Sequence, residues 1–189
     1  SAPGITVGTL QGDGGLVMLG SSKIGVNNRS DSTFGGVISG NGALEKGAGG
    51  KLDLTNANTY TGGTKVTDGT LLIDNVAGSG TGPGRVRVKS GALGGNGTIA
   101  GKVVIGAGIP GNGAFLTPGA SFGNPGTFTI LGQLSFNWMQ LIQLQFNLAC
   151  SFIHGIRPAE SHTHTENANT NDCDPRVKCH PSHDCSPMT

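Results

Sequence analysis

Short runs of apolar and β-branched residues alternate with clusters of Gly and Asn along most of the chain, at residues 5–7, 16–19, 37–38, 51–54, 64–66, 70–73, 85–88, 102–105 and 127–130. Each run reads as a strand bounded by turn residues. In Lys51-Leu52-Asp53-Leu54 and Arg85-Val86-Arg87-Val88 apolar and polar residues strictly alternate, which sets one face inward and one in water. No stretch repeats apolar residues at i, i+3 and i+4 over ten positions, so the pattern predicts an all-β protein.

Internal similarity narrows the architecture. Ser39-Gly-Asn-Gly-Ala-Leu44 returns as Gly94-Gly-Asn-Gly-Thr-Ile99, and Asp68-Gly-Thr-Leu71 returns as Ser90-Gly-Ala-Leu93. Strands of three to five residues returning at intervals of roughly 20 predict a solenoid, because one turn alone cannot bury its apolar face. Gly and Asn then mark the corners, where positive φ is needed. Stacked Asn side chains are expected to hydrogen-bond along the axis. About six turns of roughly 22 residues, at about 4.8 Å per turn, predict a rod on the order of 30 Å long.

Composition divides the chain. Of 189 residues 35 are Gly, and all but Gly155 precede residue 138, whereas all five His and all four Cys follow residue 137. The net charge of +1 gives no electrostatic reason to expect nucleic acid or an anionic membrane as partner. Gly far below one residue in three, without a G-X-Y period, excludes collagen. The opening Ser-Ala-Pro-Gly has neither the basic nor the apolar region of a signal peptide, so the start reads as a cut. The most apolar stretch, residues 138–153, carries Gln140, Gln143, Gln145 and Asn147 and is too short for a spanning helix.

From Phe34 to Ile73 a family likeness emerges, most specific in Leu52 to Leu71, where Asn58-Thr-Tyr-Thr-Gly-Gly-Thr64 is followed by Gly69-Thr-Leu71. It continues at Leu93-Gly-Gly-Asn-Gly-Thr-Ile99 and Leu116-Thr-Pro-Gly-Ala-Ser-Phe-Gly-Asn-Pro-Gly-Thr-Phe-Thr-Ile130. The span 34–136 resembles the autotransporter-associated β-strand repeat, also called the passenger-associated transport repeat. The resemblance implies a right-handed parallel β-helix in a large secreted or surface-exposed bacterial protein, where the repeat assists passenger export and builds a stalk. It implies no enzyme activity, no cofactor and no catalytic residues, and it implies an outer-membrane translocator barrel or other surface anchor as partner. An adhesin binding glycan or a host surface protein is the alternative, and a polysaccharide-active β-helix enzyme is a third reading.

Candidate chemistry is sparse. Lys102-Val-Val-Ile followed by Gly106-Ala-Gly108-Ile-Pro-Gly111 matches the dinucleotide fingerprint, yet Asn112, Gly113, Pro118 and Gly119 follow where a helix should open. The acids of the repeat region, Asp13, Asp31, Glu45, Asp53, Asp68 and Asp74, stand singly, and no His precedes residue 138 to complete a serine triad. Stacking would bring Asp53 and Asp74 together, as solvated surface charges rather than a catalytic pair. Arg85, Arg87 and Lys89 form a short basic stripe that reads as a solubilising outer face. Tyr60 and Phe34 read as corner-packing residues rather than sugar-stacking ones.

Residues 1–148 therefore read as the β-helix, with Gln140 to Leu148 as its last strand, and residues 149–189 as a Cys/His tail that is disordered or out of frame. Within the tail Cys173, Cys179, His180, His183 and Cys185 are candidate metal ligands. Their spacing, C-x5-C-x5-C, is not that of a zinc knuckle, and disulfides are an equal reading of the same residues.

Overall fold

The computed structural model describes residues 4–107, 113–119, 126–137, 177–179 and 185–187. Every regular element among them is a strand. The stacked strands lie in one unit, Ser1–Pro158, and an antiparallel pair in a second, Ala159–Thr189.

In the first unit three faces are wound in succession. The first is a seven-stranded sheet of β1 (Gly4–Val7), β3 (Lys23–Val26), β6 (Leu44–Lys46), β8 (Thr64–Val66), β10 (Val86–Val88), β13 (Val103–Ile105) and β16 (Leu134–Phe136), stacked in that order. The second stacks β4 (Ser32–Phe34), β7 (Lys51–Leu54), β9 (Thr70–Ile73), β11 (Gly91–Gly95) and β14 (Ala114–Pro118). The third holds the pairs β2 (Leu16–Met18) with β5 (Val37–Ser39) and β12 (Thr98–Ile99) with β15 (Thr129–Ile130). All these pairings are parallel, so the unit is the expected parallel β-helix. Ile24 lies opposite Leu44 and Leu44 opposite Thr64, a return of 20 residues; the last return, Val103 to Leu134, is longer.

Seven of these strands lie outside the apolar runs read from the sequence: β3, β4, β6, β11 and β16, which Gly or a polar residue interrupts, the two-residue β12, and β14, which ends in Thr-Pro. Stacking supplies what local pattern lacks. Gly25 is held between the neighbours of Ile24 and Val26, both buried. The repeat at 68–71 and 90–93 is a true structural repeat, since Leu71 pairs with Leu93. The Gly-Asn-Gly similarity is not: Leu44 enters the first face and Ile99 the third. Two different corners share a composition because both need tight, small-residue turns.

The interior is a column of inward side chains. Leu52, Leu71 and Leu93 stack in register and each is fully buried, as are Val66, Val86, Val88 and Val103 of the first face. Burying each such side chain contributes about 1.5–3 kcal/mol. Tyr60 and Phe34 close the corners as expected, at 0% and 4% exposure. The Tyr60 hydroxyl lies 2.6 Å from that of Thr64, so neither polar group is left unpaired inside.

The buried Asn residues act differently from the expected ladder. They bond the backbone of neighbouring turns rather than one another. Asn58 accepts from the Ile38 N–H at 2.6 Å and donates to the Gly80 carbonyl at 2.6 Å, so one side chain ties three turns across the third face. Asn75 likewise accepts from the Thr98 N–H, and Asn28 donates to the Lys51 carbonyl. A side-chain amide carries both donor and acceptor, which lets it replace strand pairing where the backbone turns away.

The expected strand at 140–148, and the expected boundary at 148, lie outside the described residues. So does most of the 149–189 segment. Within it Val177–Cys179 and Cys185–Pro187 pair antiparallel, with Cys179 directly opposite Cys185.

Candidate functional site

The outward row of the first face carries Glu45, Lys65 and Arg87, whereas β7 of the second face carries one charge of each sign. On β7 Lys51 and Asp53 point outward between the inward Leu52 and Leu54. Asp53 stands opposite Thr33 and Leu72, and Asp74 follows Ile73, the partner of Leu54. The turns thus bring Asp53 and Asp74 beside each other, as their 21-residue spacing predicts. Asp53 departs from the solvated reading: it is half-buried, and its Oδ1 is sequestered without a hydrogen-bond partner. Burial first, and then the neighbouring Asp74 charge, push its carboxyl up to about 6 against the pull of Lys51. Asp74 itself accepts from the backbone and side-chain amides of Asn96, at 2.7 and 3.2 Å.

Beside this pair, Asp13, Asp31, Thr33 and Lys51 line a shallow depression of about 390 Å³. Asp31 accepts from the Lys51 N–H at 2.9 Å and faces its ammonium at 3.7 Å. Among the described residues no three His, Cys, Asp or Glu side chains converge as a metal would require.

The seven-stranded face is cationic. Register places Glu45, Lys65 and Arg87 in one outward row on β6, β8 and β10. Glu45 bonds Lys23 at 2.6 Å and Lys65 at 2.7 Å, and those two hydrogen bonds hold its carboxyl below the usual range. On the next strand Arg85 and Arg87 are exposed and Val86 and Val88 buried, as alternation predicts. The Val86 N–H bonds the Lys102 carbonyl, which sets Lys102 beside Arg85.

Lys46 was not legible as a special residue. It is fully buried, in the inward row of Val26 and Val66. Its ammonium donates to the carbonyls of Gly47 at 2.8 Å, Ala48 at 2.7 Å and Asp68 at 3.3 Å. Desolvation lowers it to about 8, despite the charges of Asp68 and Asp31. The available signal was periodic: position 46 falls 20 residues from Val26 and from Val66.

Of the dinucleotide-like motif, the strand Val103–Ile105 is present, but the next described segment is the strand Ala114–Pro118. Residues 108–112 lie outside the described residues. So do Cys173, His180 and His183 of the Cys/His cluster, while Cys179 and Cys185 are register partners in the antiparallel pair.

Residues 44–73, from β6 through β9, match the family model of the passenger-associated-transport-repeat. Over 102 residues the chain is 39% identical to a protein named Adhesin BmaC autotransporter from Brucella suis biovar 1 (strain 1330), a match covering 53% of this chain. The chain spans only 3% of the length of that relative. No solved structure matches.

Proposed function

We propose that this chain, which carries a passenger-associated transport repeat and resembles an autotransporter adhesin, is a non-catalytic stalk segment of a surface-displayed bacterial passenger, assisting its export. The supporting observation is the uninterrupted parallel stacking of the matched repeat into its neighbours. Leu44, Leu52 and Leu71 of the repeat each pair with a residue of an adjoining turn. Such an element is quasi-one-dimensional: each turn contacts only its neighbours, so folding can propagate from turn to turn as the chain emerges. The partner in this reading is an outer-membrane translocator, and the location is the cell surface. Asp53 and Asp74 are then part of the fold rather than a catalytic pair.

The test is display. The full chain is fused between an export signal and an outer-membrane translocator, with surface protease accessibility as readout. Deletion of residues 34–136 is expected to lower the displayed fraction and leave passenger in the periplasm. Display unaffected by the deletion would refute the export role. Turnover of a uronate polymer, lost in Asp53→Ala and Asp74→Ala, would refute the non-catalytic one.

A second reading, an adhesive module, is favoured by the relative's name and by the cationic face.

A further inference from the structure

Near neutrality of the whole chain conceals a segregation of charge that the winding creates. On the seven-stranded face Lys65, Arg85, Arg87, Lys89 and Lys102 fall on three consecutive strands or their ends. Arg87 stands directly opposite Lys65 on one side and Val104 on the other. The acids Asp13, Asp31, Asp53 and Asp74 belong to the other side of the winding, at or beside β4, β7 and β9. Among the described residues, Glu45 is the one acid ion-paired on the cationic face, and it is engaged by Lys23 and Lys65; Arg85, Arg87, Lys89 and Lys102 have no acidic partner within 4.0 Å.

Like charges opposite one another on neighbouring strands destabilise a sheet. A solubilising surface interleaves the two signs instead. The signs interleave where Glu45 lies between Lys23 and Lys65, but beyond it Arg85, Arg87, Lys89 and Lys102 lack such a partner among the described residues, an arrangement suited to an anion supplied from outside. Its geometry is that of a flat, regular surface: neighbouring strands about 4.8 Å apart, and Arg85, Arg87 and Lys89 about 7 Å apart along one strand. Two of the cations are arginines, whose planar fork engages carboxylate and sulfate through paired hydrogen bonds.

We propose that this face, centred on Arg87, binds a linear polysaccharide carrying carboxylate or sulfate groups, laid across β8, β10 and β13. An extended anionic chain suits a flat face, because successive charged groups reach successive strands without a cleft. Nucleic acid fits less well. The outward row Glu45, Lys65, Arg87, Val104 and Ser135 offers no aromatic side chain for base stacking, and a strand buried in a sheet presents nothing to enter a groove. This surface stands whether or not the segment assists export, since it depends on the register of three strands alone.

The experiment measures binding of the full chain to heparin as the sulfated probe, polygalacturonate as the carboxylated probe, dextran as the neutral control and a single-stranded oligonucleotide. Salt is varied, and the folded state is monitored by circular dichroism. Binding to one or both polyanionic saccharides, absent with dextran and falling steeply with salt, is expected; which saccharide binds more tightly identifies the anionic group. The variant combining Arg85→Thr, Arg87→Thr and Lys89→Thr, with threonine chosen to suit a strand, is expected to bind about tenfold more weakly. Arg87→Glu alone gives a second, smaller perturbation, and Lys51→Thr on the acidic side is expected to leave binding unchanged. Undiminished binding in the folded triple variant, absence of binding to both saccharides, or tighter binding of the oligonucleotide than of either would overturn the proposal.

Discussion

The ammonium of Lys46 reaches from its own turn to the backbone carbonyl of Asp68, 3.3 Å away on the next, inside a column otherwise lined by Val26, Val66 and Val88. The same nitrogen holds the carbonyls of Gly47 and Ala48, and Ala48 is the non-Gly residue with positive φ among the described residues, at 59°. A cation thus gathers carbonyls that a corner turns away from their strand partners.

Burial lowers Lys46 to about 8 from an ordinary 10.5, so the unfolded chain binds its proton more tightly than the folded one. Between those values stability rises with pH, and below about 8 the full penalty of burying the charge applies. Chemical denaturation of the wild type and of Lys46→Met across this range is expected to show a rise in the wild type that the variant lacks. Parallel pH profiles would show that the charge is not buried in solution.

Asp53 works in the opposite sense. Its carboxyl is raised to about 6 from 3.8, so the folded state binds the proton more tightly and stability falls as pH rises through that window. Asp53→Asn is expected to stabilise the fold at pH 7 by about 1 kcal/mol, less than the whole shift implies because the carboxyl stays partly solvated, and by nothing near pH 3. A variant equally stable or less stable at pH 7 would contradict this.

Gly69 has φ of +68°, and a Cβ there would run into the carbonyls of Ala48 and Gly50 and crowd the Lys46 ammonium. Gly69→Ala is expected to cost about 2 kcal/mol or more, from backbone strain and lost packing together. Gly49, where a Cβ meets no atom within 4 Å, is the control, and Gly49→Ala is expected to change the unfolding midpoint little.

Leu71 is fully buried between Leu52 and Leu93. Leu71→Ala opens a cavity in the middle of the column and is expected to cost about 2–5 kcal/mol. In a solenoid that loss weakens both neighbouring interfaces. Hydrogen exchange should therefore accelerate first in β7, β9 and β11, and uniform acceleration along the unit would argue against turn-by-turn cooperativity.

The winding was legible wherever apolar residues alternate, as in Lys51–Leu54 and Arg85–Val88. It was obscure in Lys23–Val26 and Gly91–Gly95, whose strand character comes from the turns stacked on either side. The pairing of Asp53 with Asp74 was foreseen from spacing, but the partial burial of Asp53 was not, because burial depends on what neighbouring turns place around a carboxyl.

By itself the sequence determined the all-β solenoid, its period near 20 and the composition of its corners, since alternation, Gly and Asn act locally and recur. Only the tertiary structure decided which residues of successive turns share a row. Register set Lys46 among valines, tied Asn58 to the backbone of two other turns, and collected cations distant in sequence onto one face. A one-residue change in any return would reverse inside and outside for the strand that follows, and that choice is made by the packed column as a whole.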